Sequence, residues 1–242
     1  EYGMLSEAKF FEKAQGFALY PTTKEQYFTF EELTDKLKSA QTDKDGNLVV
    51  LYASNKEEQH SFIEEAEGKG YEVLLLDSPI VAHLIQKLEG ENEKIRFSRV
   101  DADSMDKLIQ KDENQISKLS EEDQTKLKSI IEEFVPKEKY SVQLEALDSN
   151  SNPFIITQPE VLRRMKDMQK TGGGGFMGMG NFPEMYNLVV NTNNELMQKI
   201  LKAKGKREEY INQALDLARL PQNLLQGKDL TRFIKRSFEL MN

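Results

Sequence analysis

His60 and His83 are the only two imidazoles in the chain, and they fall on separate predicted helices. Neither belongs to a His-Glu-x-x-His or comparable spacing that would set two nitrogens on one metal ion, so both read as solvated side chains. Asp77-Ser78 follows the apolar run Tyr71–Leu76, the position where open α/β sheets often bind ligands. The same pair also makes an ordinary strand-to-helix turn with Ser78 as the cap, which is the simpler reading. The glycine-rich run Gly172–Gly180 has the composition of a phosphate loop but not its layout. No Lys-Ser/Thr follows Gly180, and no strand leads into the run with a helix behind it. Gly68-Lys69-Gly70 precedes a predicted strand instead of following one, which removes a dinucleotide fingerprint. There is no Gly-x-Ser-x-Gly elbow, and the 41 carboxylates show no pairing beyond that of solvated helix faces. No catalytic, metal-binding or cofactor-binding residue is therefore assigned, and catalysis within the chain is not expected.

The residues that invite a function are apolar. Between Thr157 and Tyr186 a helical pattern runs into glycines and then into a loop studded with Met and Phe. Thr157 and Glu160 have capping-box spacing, and Pro159 falls in the first turn, where proline is tolerated. Val161, Leu162, Met165 and Met168 share one helical face, opposite Arg163, Lys166, Asp167 and Lys170. Four consecutive glycines, 172–175, must stop this helix, and Phe176, Met177 and Met179 follow. Unbranched thioether side chains repack easily, so the stripe and the loop suit a surface that grips varied apolar partners. An amphipathic helix that packs its stripe into a core has the same pattern.

Composition narrows the classes. The 242 residues are enough for two folded units, and 38% hydrophobic with 31% charged residues describes a soluble, charge-rich globular chain. A formal net charge of −8 argues against phosphate-backbone binding, which needs a basic face, so no nucleic-acid partner is expected. No run of 18 apolar residues offers a membrane span. The absence of cysteine rules out disulfides and thiolate chemistry and fits a reducing, cytoplasmic setting. Glu1 opens directly into Tyr-Gly-Met-Leu-Ser without an initiator methionine, as in a piece of a longer protein.

These groups need elements to place them. Ser6 is expected to cap a helix with Ala8, Phe10, Phe11, Ala14 and Phe17 inward, and Thr29 with Glu32 to box a second. Leu48–Ala53 and Tyr71–Leu76 are buried-type strands, and Ile95–Val100 alternates as a third. The helices between them carry Phe62, Ile63 and Ala66, then Ile80, Val81, Leu84, Ile85 and Leu88. That alternation predicts a small α/β sandwich with a parallel sheet. Beyond a boundary near residue 113, Ser120 opens a helix, Tyr140–Leu147 alternates as a strand, and Phe154–Ile156 is expected to return beside it. Tyr186–Val190 is a further strand, so this half reads as α+β.

Three helices close the chain. The first, with Thr192 and Glu195 as its expected cap, presents Leu196, Met197, Ile200 and Leu201. The second presents Tyr210, Ile211, Ala214, Leu215 and Ala218, and the third Leu230, Phe233, Ile234, Phe238 and Met241. Such wide stripes either cover one another and the sheet or pair with a second copy of the chain.

Several motifs in order resemble one family. Glu1-Tyr-Gly-Met-Leu-Ser-Glu-Ala-Lys-Phe-Phe-Glu-Lys-Ala and Tyr27-Phe-Thr-Phe-Glu-Glu-Leu look like late middle-domain helices of the heat-shock-protein-90 chaperones. Leu51-Tyr-Ala-Ser-Asn, Lys69-Gly-Tyr-Glu-Val-Leu-Leu-Leu-Asp-Ser-Pro-Ile and Arg99-Val-Asp resemble that family's small α/β subdomain. Arg164-Met-Lys-Asp-Met-Gln is similar to its C-terminal amphipathic helix, and the end Glu239-Leu-Met-Asn is nearest the bacterial HtpG branch. The resemblance implies a helical connector over 1–45, the α/β subdomain over 46–112, and a C-terminal domain over 113–242 ending in a helical dimerisation bundle. It implies a homodimer through Tyr210, Ile211, Ala214, Leu215, Leu230, Phe233, Ile234, Phe238 and Met241. It also implies contact with partly folded client proteins through Val161, Leu162, Met165, Met168, Phe176, Met177 and Met179. ATP and magnesium would belong to the parent protein, upstream, with none bound here. An enzyme or a small-ligand or nucleotide module using the α/β subdomain, with Asp77, Ser78 and the glycine loop 172–180 at its site, and a purely structural dimerisation domain, remain the alternatives.

Overall fold

The computed structural model describes residues 1–111, 115–170, 185–203 and 205–241. They fall into two compact units, one of Glu1–Asp112 with Pro159–Phe182 and the other of Glu113–Gln158 with Pro183–Asn242.

The first unit begins with α1 (Tyr2–Ser6) and α2 (Ala8–Ala14). The helix expected after Ser6 is α2, and the extended backbone of its N-cap, Glu7, separates it from the additional short α1. Ser6 caps nothing; its hydroxyl donates back to the Tyr2 carbonyl at 3.0 Å. Phe11 and Ala14 are buried as expected, but Phe10 and Phe17 are exposed. A short ribbon, β1 (Tyr20–Pro21) and β2 (Tyr27–Phe28), leads to α3 (Phe30–Gln41). The capping box at α3 is complete, with the Thr29 hydroxyl accepting from the Glu32 amide and the Glu32 carboxylate from the Thr29 amide. Gln41 then ties α3 to the sheet, its side chain donating to Val49 O at 2.8 Å and accepting from Glu72 N at 2.6 Å.

The sheet is parallel throughout. It comprises β3 (Leu48–Ala53), β4 (Val73–Leu75) and β5 (Ile95–Arg99), in the order β4-β3-β5. All six residues of β3 are buried, as a central strand covered on both faces requires. The crossovers are α4 (His60–Gly68) and α5 (Val81–Glu91), and α6 (Met105–Leu108) follows β5. The core beneath gathers Leu33, Leu37, Val50, Tyr52, Leu74, Leu84, Ile85 and Leu88.

The second unit opens with α7 (Glu121–Phe134), its amide at Asp123 capped by the Ser120 hydroxyl at 3.1 Å. After β6 (Tyr140–Glu145) and β7 (Phe154–Thr157) the chain leaves this unit to form α8 (Glu160–Lys170), which belongs to the first. It comes back as β8 (Tyr186–Asn191), followed by α9 (Glu195–Lys202), α10 (Arg207–Arg219) and α11 (Gly227–Glu239). The expected hairpin of β6 with β7 is not formed. The strand order is β6-β8-β7, with β8 parallel to β6 and antiparallel to β7. The reason is hydrophobic: Leu188, Val189 and Val190 have no exposure at all, so β8 takes the centre, where both edges and both faces are covered. The cap of α9 is Asn194, not Thr192, whose hydroxyl is drawn to the Glu145 carbonyl at 3.1 Å.

Candidate functional site

The candidate site in the first unit is α8, and its sequence pattern is docked the opposite way round from an ordinary amphipathic helix. Glu160, Arg163 and Arg164 face the protein. Arg163 retains 3% exposure, whereas Val161 retains 69%, and Leu162 and Met165 are exposed beside it. Met168, further along, is half-buried. Phe176, Met177 and Met179 lie outside the described residues.

The docking surface is the open edge of the parallel sheet together with α5. Glu160 is not half of a capping box, and Thr157 ends β7 with its hydroxyl unpartnered. The Glu160 carboxylate instead accepts from the Tyr52 hydroxyl at 2.8 Å, from Arg163 at 2.6 Å, from Arg164 at 2.7 Å and from the Arg99 amide at 3.2 Å. Arg163 lies over the Tyr52 ring, 5.5 Å from its centroid, donates to the Tyr52 oxygen, and reaches Asp167 at 2.7 Å. Arg164 holds Glu89 of α5 with two nitrogens, at 2.7 and 3.1 Å, and donates to Phe97 O at 2.6 Å. Glu89 in turn accepts from Phe97 N at 2.7 Å. Three backbone groups of the edge strand β5 that would otherwise be unpaired are thus satisfied by α8 and α5 side chains.

Electrostatics follow from this packing. Burial alone would raise the Glu160 carboxyl; the Arg163 and Arg164 guanidiniums, with the Tyr52 hydroxyl, outweigh it and hold the group below the ordinary carboxylate range. Burial, reinforced by Glu160, pushes the Tyr52 hydroxyl well above the ordinary tyrosine range, so it stays a donor. A carboxyl whose folded pKa is depressed stabilises the fold fully above its unfolded value, about 4.3 for Glu, and that contribution is lost as pH falls through the folded value. Glu160→Gln is expected to cost about 2 kcal/mol at pH 7, because two packed guanidiniums lose their shared anion. The gap between wild type and variant in denaturant unfolding should close between about pH 4.3 and the lower folded value. A gap unchanged at pH 3 would mean that the Glu160 charge is not what holds the helix.

In the second unit, the residues assigned to dimerisation separate by burial into three groups. Ile211, Ala214 and Leu215 are spent inside the unit's own core, with Leu127, Ile131, Ile156 and Leu188, and Phe233 is buried as well. Tyr210 and Leu230 are half-buried. Ile234, Phe238 and Met241 are exposed, Phe238 at 63% and Met241 at 78%, with Leu240 beside them. Polar bonds fix which face of α11 turns outward. Buried Asp216 of α10 accepts from Arg236 at 2.6 Å and Arg219 at 3.0 Å, and Gln213 accepts from Arg236 at 2.8 Å and donates to Ser237 at 3.1 Å. Arg236 is therefore an intramolecular tie between α11 and α10.

The glycine run 172–180 lies outside the described residues, and Asp77 and Ser78 are placed as in an ordinary turn. The Ser78 hydroxyl accepts from Ile80 N at 3.4 Å in the strand-to-helix turn, and Asp77 is exposed. Among the described residues no group of three or more His, Asp and Glu is placed to hold a metal ion, and no helix is long and apolar enough to cross a membrane. Tyr52, Glu89 and Glu160 are the site residues that sequence reasoning missed. The i, i+3 and i+4 spacing of Glu160, Arg163 and Arg164 was a signal for intrahelical pairing, but nothing local marks Glu89 as their partner.

No family model matches the chain. A protein named Chaperone protein HtpG from Bacteroides thetaiotaomicron is 35% identical over an alignment of 309 residues, covering 99% of this chain and 45% of the relative. Its namesake from Porphyromonas gingivalis is 38% identical over 211 residues, covering 86% of this chain and 30% of the relative. An Endoplasmin homolog from Dictyostelium discoideum is 30% identical over 86 residues, 35% of this chain and 11% of the relative. The chain spans less than half the length of the relatives it matches. It belongs to the heat-shock-protein-90 family, in the bacterial HtpG branch, and corresponds to the C-terminal part of those proteins.

Proposed function

We propose that this chain is the non-catalytic, client-holding and dimerising portion of an ATP-driven cytoplasmic chaperone. One observation carries the reading: α8 turns its polar side inward and leaves Val161, Leu162 and Met165 exposed. A stripe destined for the core would dock the other way. Flexible, apolar side chains held on a rigid sheet fit the capture of partly folded proteins whose exposed segments differ in sequence. The outward face of α11, with Ile234 and Phe238, and Met241 just beyond it support pairing with a second copy, which would place two such stripes in one assembly. Residues 113–242 would supply the dimerisation, with the α/β subdomain over 46–112 and the helical connector over 1–45 preceding them in the chain. ATP and magnesium would be held by a separate part of the parent protein, and nucleotide is expected to leave the melting temperature of this chain unchanged.

Light scattering together with an aggregation assay tests the proposal. The chain should run at twice its 27.9 kDa mass at micromolar concentration and should slow aggregation of a thermally unfolding protein without added ATP. A monomer with no effect on aggregation would overturn it. Nucleotide stabilisation abolished by Asp77→Ala would instead favour the ligand-binding module.

A further inference from the structure

Four charged side chains and one tyrosine account for how α8 is oriented, and three of their bonds end on backbone groups of one strand. Arg164 donates to Phe97 O, Glu89 accepts from Phe97 N, and Glu160 accepts from Arg99 N. Phe97 and Arg99 belong to β5, whose other edge is fixed in register on β3 through Val50↔Phe97 and Tyr52↔Arg99. The Tyr52 hydroxyl, from the fully buried residue at the middle of the sheet, adds a third fixed point. A helix pinned at three points on a sheet cannot roll about its own axis, so its opposite face is aimed outward.

We propose that Glu89, Tyr52, Glu160, Arg163 and Arg164 are positioning residues for the apolar stripe, holding Val161, Leu162 and Met165 outward by using the edge of β5 as a template. This rests on the client-holding role proposed above. Arg164 is the pivotal member, since its planar fork bonds Glu89, Glu160 and a carbonyl at once, a geometry that an ammonium cannot reproduce. The inference accounts for a run of charge, Arg163-Arg164, on the buried side of a surface helix, where two cations would otherwise be unfavourable.

The test compares wild type with Arg164→Lys and Arg164→Met in the intact chain, by hydrogen exchange and aggregation suppression. Exchange of the α8 amides should accelerate about tenfold or more in Arg164→Met and by less in Arg164→Lys, while amides of β3 and of β8 keep wild-type protection. Suppression should fall in the same order, although neither variant alters an apolar stripe residue. Unchanged α8 protection in Arg164→Met would overturn the positioning role whatever happens to suppression. Released α8 with undiminished suppression would show that the stripe needs no aiming, and would overturn it too. If Arg164→Met loses protection throughout β3, the milder Arg164→Lys and Glu89→Gln carry the same comparison. A wild type with protected α8 but no suppression would instead sink the client-holding reading and leave the docking itself measured.

Discussion

Phe238→Asp is expected to convert the chain from a dimer to a monomer of 27.9 kDa at micromolar concentration. Phe238 is large, aromatic and 63% exposed, on the face of α11 that also carries Ile234, with exposed Met241 just beyond the helix. In a twofold contact each substitution acts twice, and buried aromatic anchors are commonly worth about 2 kcal/mol or more apiece. Two buried, unpaired carboxylates would then weaken association about a thousandfold. The fold should survive, because Phe233, on the inner side of the same helix, and the Asp216–Arg236 tie both remain. Analytical ultracentrifugation with far-ultraviolet circular dichroism reads both quantities. A variant that stays dimeric would remove Phe238 from the interface; wild type sedimenting as a monomer would remove the interface itself. Leu215→Asp is not an equivalent experiment, since Leu215 is a core residue and its loss would unfold the unit.

Serine at Val161, Leu162 and Met165 together should abolish most aggregation suppression with little change in stability. Exposed substitutions away from special features lie within about 0.5 kcal/mol each, whereas truncating three packed apolar side chains would cost about 2–5 kcal/mol apiece. The two readings of the stripe therefore differ by several kcal/mol in sum, far outside the error of a denaturant midpoint. The triple variant should also remain a dimer, because none of its substitutions touches α11. A sharp fall in the unfolding midpoint would return these residues to a core.

The two substitutions address different surfaces on the same chain, and their independence is informative. If client capture needs two stripes held together, Phe238→Asp should weaken suppression at low concentration even though α8 is untouched, as expected when a second contact is lost from a bivalent binder. The triple serine variant would lose suppression at every concentration.

The sequence by itself determined the elements whose cause is local. Leu48–Ala53 is uninterrupted apolar residue and becomes the buried central strand; Thr29 with Glu32, and Ser120 before Asp123, cap the helices they precede. The strand–helix alternation over 48–99 specifies the parallel sheet because short crossovers leave few topologies open. Ordered motifs along the chain also sufficed for the family. Tertiary structure alone decided what depends on partners distant in sequence. Whether β6 pairs with β7 or with β8 turned on which strand could best fill the centre of a sheet, and Tyr186–Asn191 arrives only after α8 has been made elsewhere. Thr157 and Thr192 had cap-like spacing, yet one ends a strand and the other is claimed by Glu145 across the sheet. The orientation of α8 was the largest such decision. A helical pattern fixes that one face is apolar and the other charged, but which face is buried depends on what it meets. Here it met Glu89 and the unpaired edge of β5, groups that bond charge and cannot bond methionine.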